Sequence, residues 1–387
     1  METEKYSGRK VCKVENIITG NAEELLFEDG ILNGIHTIEH APENNLCMGP
    51  GLIDMQVNGI NEIDFNDPAL SEQQVIDATY YLLSQGVTTF FPTVITNSDE
   101  NVLHLMRTIY NACLTDALVN DCIGGIHLEG PFISKTAGAK GAHDEQYIKA
   151  PDWELVKKFQ EAAGGKIKLI TLAPEWDEAP AFIEKCTTHG MIVSIGHTMA
   201  NAQQVARAIE AGASMCTHIG NAVPLQMPRH PNIIWELLAA DELYASIITD
   251  GLHLPKSFIK VVMKTKGIKT IIVSDATCFA GMAPGEYQNH IGGTVILDEE
   301  KRISLKSSPG LLAGAAKSLL ENVAFMVNNN LATLGEAWQM ASTHAGKLLA
   351  KTDDRFISSN DKVLFKVTGN EIQVEQVIKN GRVVFSK

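Results

Sequence analysis

From Pro50 onward the chain repeats one alternation, a short apolar run followed by a stretch of helical period, and this pattern restricts the fold more than any single motif. The apolar runs at about 52–57, 87–95, 122–128, 167–172, 191–196, 213–218, 245–249 and 270–274 read as strands. Between most of them lie helical patterns, such as Ala200 to Ala211 and Pro255 to Lys266. Ser71 with Gln74 three residues on makes a capping box that opens a helix, and Gly86 closes it. Eight strands, joined by crossovers long enough for parallel pairing, predict an α/β fold of the (β/α)8 TIM-like barrel type. A doubly wound sheet is the alternative, but no G-x-G-x-x-G follows the first strand.

A barrel of this kind gathers the C-terminal ends of its strands at one mouth, where the chemistry is placed. Four of the apolar runs end in ionisable groups: Glu129 before Gly130-Pro131, His197 after Ile195-Gly196, His218 after Thr217, and Asp275 after Ser274. Taken singly, each reads as a helix cap or a satisfied core residue. Glu129, His197 and His218 at a shared mouth offer one hard oxygen and two imidazoles, a set suited to one divalent ion, with zinc expected and iron, cobalt or manganese also accepted. Asp275 suits a proton shuttle to water better than a fourth ligand, or simply caps its loop. His143, in a glycine-rich loop, and His253, after Asp250-Gly251, read equally as substrate contacts or as surface residues. In the Pro-rich loop beyond His218, Asn221, Ala222 and Arg229 are candidate substrate contacts. Arg229 can pair with a phosphate or carboxylate, its ordinary reading being a solvated cation. Gly310-Leu311-Leu312-Ala313-Gly314 reads equally as backbone set against a ligand or as only the entry to a helix from Gly314 to about Asn329.

The formal charge of −14, uninterrupted by any basic run, argues against nucleic acid and anionic membranes as partners. Seven cysteines without a CxxC pair suit reduced, buried thiols. With no apolar signal core in Met1 to Tyr6 and no apolar stretch of membrane-spanning length, a cytoplasmic location is expected. Both ends of the chain are β-type, including Val11–Val14, Leu25–Phe27, Val363–Val367 and a hairpin turning at Asn380-Gly381. They are expected to pair as a small domain of residues 1–49 and 345–387 around a barrel of residues 50–344. A long loop over 276–310 is expected to hold a hairpin made of Thr294 to Leu297 and Arg302 to Leu305.

PGLIDMQVNG, HLEGPF, SIGHT, THIGNA, TDGLH, VSDAT and GLLAG, in this order over residues 50–314, resemble the amidohydrolase superfamily and, within it, the N-acetylglucosamine-6-phosphate deacetylases. The resemblance implies a barrel with a small β-sandwich built from both termini, a metal ion on Glu129, His197 and His218, and Asp275 as the acid/base. It further implies substrate contacts from Ala142, His143, Asn221, Ala222, Arg229, His253 and Leu311-Leu312-Ala313, and a homodimer in which the arginine reaches across. His143 would join the ion in stabilising the oxyanion. Two departures stand out. Gln56-Val57-Asn58 replaces the H-x-H that holds a second metal in many amidohydrolases, so one ion is expected. The loop Ala222 to Asn232 keeps Arg229 among unfamiliar residues, which leaves open another N-acetylhexosamine phosphate or an N-acyl amino compound as substrate. A non-catalytic metal-binding scaffold is the alternative from another class.

Overall fold

The six residues Leu52–Val57 are buried at every position, and Val87–Ile95 at all but the last. Such runs, apolar without alternation, are what strands covered on both faces require. In the computed structural model, which describes residues 8–40, 45–289, 293–356 and 360–387, these become β1 (Leu52–Val57) and β2 (Val87–Ile95) of an eight-stranded parallel sheet. The others are β3 (Ile126–Glu129), β4 (Ile167–Leu172), β5 (Ile192–Ile195), β6 (Met215–Cys216), β7 (Tyr244–Ile247) and β8 (Thr270–Ile272). They pair in chain order, and the last is brought round to the first by the bond from Asp275 N–H to the Gln56 carbonyl (3.0 Å) and a bridge between Val57 and Ala276. The barrel is thereby nearly closed, as the alternation predicts.

Several strands are shorter than their apolar runs, and the reason bears on the site. His197, His218 and Asp275 all have positive φ (51°, 29° and 49°), so the chain leaves the ladder just before each of them. Non-glycine residues hold this conformation only where the surroundings impose it. Inside the barrel, Ile53, Met55, Phe91, Leu169, Ile192, Met215 and Ile271 pack against Ala345, Leu348 and Leu349 of the helix Thr343–Leu349, which plugs the end remote from the site. The outer face of the sheet is covered by helices with capping boxes at Ser71/Gln74, Asn201/Gln204, Ser318/Glu321 and Thr333/Glu336.

The glycine-rich run before the predicted helix behaves differently from expectation. Ser308–Leu312 is a strand, paired with Ile303–Leu305 in a four-stranded antiparallel sheet that also contains Gly285–Asn289 and Gly293–Leu297. The helix starts only at Leu319, because Ser318 caps it by accepting from Glu321 N–H. Two short helices come next, Leu334–Met340 and Thr343–Leu349.

Strands from both termini form one small β unit in the order Arg9–Asn16, Ala22–Glu28, Ile31–Thr37, Arg382–Ser386, Glu371–Lys379, Lys362–Thr368, Cys47–Pro50. Its bonding runs round a closed ring, joined by the short pairings Glu15 with Cys47 and Arg382 with Ile31. The fully buried Trp338 fastens this unit to the barrel: its ring stacks on Phe365 at 4.3 Å and its Nε1–H donates to the Pro50 carbonyl at 2.8 Å. Trp338→Ala is therefore expected to destabilise the protein by about 4 kcal/mol, read as a lowered thermal midpoint. Among the described residues no helix is long and apolar enough to cross a membrane.

Candidate active site

At the C-terminal mouth of the barrel, one carboxylate oxygen organises four elements. Glu129 Oε1 lies 3.2 Å from His197 Nε2, 3.2 Å from His218 Nε2, and 2.9 Å from Gln56 Nε2, which donates to it. All four side chains are buried. Ligands about 2.0–2.1 Å from a tetrahedral ion stand about 3.3 Å from each other, so both carboxylate–imidazole separations match edges of such a coordination figure. His197 is aimed by a contact between its Nδ1 and the Ala139 carbonyl at 3.0 Å, which leaves Nε2 facing inward. This is the usual way a protein orients a ligating histidine.

The electrostatics make the same demand. Burial alone would raise the Glu129 carboxyl, yet its contacts with His197 and His218 outweigh that and hold it well below the usual carboxylate range. Burial would likewise lower His218, and the bond to Glu129 overrides it and raises the ring. A buried carboxylate that keeps its charge and draws a proton onto the His218 ring is a pocket in want of positive charge, and a divalent cation satisfies it. The donor set therefore fits a metal ion. His143 joins the group as well: one ligand atom each from Glu129, His143 and His197 lie within 4.8 Å of one another. Its Nδ1 is already engaged by Thr96 Oγ1 at 2.8 Å, and its ring meets His197 edge-on at 4.4 Å. Burial first, and then the His197 charge, push His143 down to about 3, so the ring is neutral at physiological pH.

Gln56 and Asn58 occupy the positions where a second metal site would need histidines, and both support other groups. Gln56 holds Glu129, while Asn58 Nδ2 donates to Asp275 Oδ1 at 2.7 Å. Burial, the largest influence on Asp275, pushes its carboxyl up to about 6 against the pull of His218. Replacing Gln56 by Leu should loosen Glu129 and weaken metal affinity by about 10- to 100-fold, measured by titration of chelator-stripped protein with Zn2+.

Below this cluster lies a layer of hydroxyls around His127: Thr93 Oγ1 at 3.4 Å, Thr171 Oγ1 at 2.7 Å, then Thr217 and Ser194. Gly130, with φ 84°, closes β3 against Thr96, whose Oγ1 would collide with any Cβ there, so this step has room only for glycine.

The remaining candidates are more dispersed. Asn221 folds back on His218, its N–H and Nδ2 both donating to the His218 carbonyl (2.9 and 3.3 Å). Ala222 follows with φ 49° and is half-buried, whereas Ala142 is exposed. Arg229 is exposed on the loop beyond them, and its guanidinium has no partner among the described residues. Leu312 and Ala313 are half-buried at the edge of the four-stranded sheet, and the Leu311 side chain lies outside the described residues. His253 is held by Asp250, whose Oδ2 lies 2.7 Å from its Nδ1. Thr96 and Asp250 are the residues that sequence reasoning missed. Asp250 had one visible signal, a carboxylate shortly after a strand and three residues before a histidine.

No protein-family model matches the chain. It is 31% identical over 335 residues to an N-acetylglucosamine-6-phosphate deacetylase of Lysinibacillus sphaericus, covering 86% of this chain and 84% of the relative. To an N-acetylgalactosamine-6-phosphate deacetylase of Shewanella it is 30% identical over 351 residues, 87% of this chain and 84% of the relative. The crystal structure of N-acetylglucosamine-6-phosphate deacetylase from Pasteurella multocida superposes with a TM-score of 0.83 at 27% identity, covering 98% of this chain and 100% of the other.

Proposed function

Since the chain belongs to the N-acetylglucosamine-6-phosphate deacetylase family of amidohydrolases, we propose that it hydrolyses the acetamide of N-acetylglucosamine 6-phosphate to acetate and glucosamine 6-phosphate. The observation that supports this most is the convergence of His197 and His218 on one oxygen of Glu129, each at 3.2 Å, at the mouth where Asp275 also sits. In this reading Glu129, His197 and His218 hold one divalent ion, with Zn2+ preferred for a mixed nitrogen and oxygen set. The ion, when bound, supplies Lewis acidity, making water a stronger acid and the amide carbon a better electrophile.

The chain's own groups do the rest. Asp275, steadied by Asn58, accepts the proton of the attacking water and delivers it to the departing nitrogen. His143, neutral and held at Nδ1 by Thr96 Oγ1, is read as the Nε2–H tautomer and donates to the developing oxyanion. The half-buried Asn221, Ala222, His253, Leu312 and Ala313, with Ala142 and Leu311, line the sugar's place at the rim. Arg229 takes the phosphate from a second copy in a homodimer, for which the exposed Leu225 and Trp235 offer an apolar face. All seven cysteines are free, which suits the reducing cytoplasm.

The 30% identity to an N-acetylgalactosamine-6-phosphate deacetylase supports the second reading, the epimeric sugar. Acetate release from N-acetylglucosamine 6-phosphate, its galacto epimer and the unphosphorylated sugars tests both. The proposal expects the gluco phosphate to be turned over best. Arg229→Ala should raise KM for the phosphorylated sugar about 10- to 100-fold and leave the unphosphorylated sugar unaffected. Equal rates with and without the phosphate would count against both readings.

A further inference from the structure

The seam between β1 and β8, the first and last strands of the barrel, is stitched partly by side chains. Val273 N–H donates to the Ile247 carbonyl of β7 at 3.1 Å, so the next amide along, Ser274 N–H, faces β1. Its acceptor there is not a ladder carbonyl but Oδ1 of the buried Asp54, at 3.1 Å. The same oxygen receives Gln56 N–H at 3.4 Å. The Ser274 hydroxyl adds a second stitch, donating to the Gln56 carbonyl at 3.3 Å and accepting Ala276 N–H at 3.1 Å. Between them, Asp275 N–H, which regular alternation would send to β7, also goes to the Gln56 carbonyl at 3.0 Å, and at that residue the backbone is left-handed with φ 49°. Three successive amides are thus committed around Asp275, and Asp54 supplies the bond immediately before the turn. A non-glycine residue keeps such a conformation only where its surroundings over-determine it. Burial, the largest influence on Asp54, pushes its carboxyl up to about 7 against the donors of Ser274 and Gln56. Oδ2 is buried with no partner among the described residues, so it can carry a proton while Oδ1 goes on accepting. The seam uses the accepting oxygen and not the charge.

We propose that Asp54 is a positioning residue: by receiving the Ser274 amide in place of a ladder carbonyl, it holds the seam at which the chain turns left-handed, and so aims the Asp275 carboxylate at the reacting amide. The purpose it serves rests on Asp275 being the acid/base of the proposed deacetylation; the seam itself does not depend on that reading. The role needs no contact with substrate or metal. Its effect therefore falls on kcat, where the proton moves, and spares KM and the metal ion.

Asp54→Ala and Asp54→Asn separate the accepting oxygen from the charge. Ala leaves the buried Ser274 amide without a partner, whereas Asn keeps an oxygen for it and sets its NH2 where Oδ2 stands. In the full-length, zinc-loaded protein with N-acetylglucosamine 6-phosphate, D54A should lower kcat about 10²-fold, the effect of misplacing a reacting group by about 1 Å, with KM held within about threefold. D54N should stay within about threefold of wild type in both, since the acceptor is kept. Both variants should bind as much zinc as wild type. The D54A/D275N double variant should be no slower than D275N alone, because Asp54 acts through that carboxylate. Hydrogen exchange over residues 272–277 should quicken in D54A and not in D54N. Wild-type kcat or unchanged exchange in D54A, a loss in D54N as large as in D54A, loss of zinc, or additive losses in the double variant would overturn the proposal. Should D54A fail to fold, Ser274→Ala opens the neighbouring stitch and carries the test: kcat should fall about tenfold at constant KM, and an unchanged kcat would count against the seam. Wild-type turnover in D275N, or none by wild type on any amino-sugar phosphate, would strike the deacetylase reading instead, and the exchange rates would stand apart from it.

Discussion

Asp275→Asn should lower kcat by about 10³-fold while the protein still binds one equivalent of metal, because a positioned acid/base contributes about 10² to 10⁴ in rate. The carboxamide is nearly isosteric and still accepts from Asn58 Nδ2 at Oδ1, so fold and loop geometry are preserved and only the proton acceptor is lost. The pH profile supplies a second reading of the same variant. Burial pushes Asp275 up to about 6, and a bound cation beside it draws it lower, so the base form is lost only as pH falls through or below that value. Wild-type kcat/KM should accordingly fall on the acid side at or below about pH 6, and D275N should lack that limb. Near wild-type turnover in D275N, with metal bound, would remove Asp275 from the chemistry.

His218→Ala should lower metal affinity by well over about 100-fold, more than the 10- to 100-fold that supporting residues command, because it removes one of the three proposed ligands. The measurement is zinc content after dialysis against a competing chelator. The variant also distinguishes the proposed ligand set from the alternative grouping of Glu129, His143 and His197. If His143 is the third ligand, H218A retains its metal and His143→Ala loses it. The geometry favours His218: its Nε2 lies 3.2 Å from Glu129 Oε1, the spacing of two ligands on one ion, whereas the contacts of His143 run to Thr96 and to the His197 ring.

Much of this site was legible because its parts sit where apolar runs stop. Glu129, His197, His218 and Asp275 each follow a stretch that must be buried, so the barrel, once predicted, carries them to one end. The left-handed backbone of the last three was not legible, and it is why β6 holds only Met215–Cys216 and β8 only Thr270–Ile272. Contacts made across long sequence distances were equally hidden. Thr96 reaches His143 across 47 positions and Gln56 reaches Glu129 across 73, and neither residue advertises its partner. The Gly310–Gly314 run misled for a related reason. Glycines before a helix suggest a loop, but pairing of Leu312 with Ser304 draws the segment into a sheet. Local pattern is a weak guide wherever a tertiary partner decides the conformation.

Titrating chelator-stripped protein with Zn2+ while following acetate release from N-acetylglucosamine 6-phosphate tests the central claim, that one ion on Glu129, His197 and His218 serves an amide-hydrolysing site. The account predicts negligible rate without metal and a linear rise that levels off at one ion per chain. Full activity in the stripped protein, or a rise that continues to two ions per chain, would contradict it.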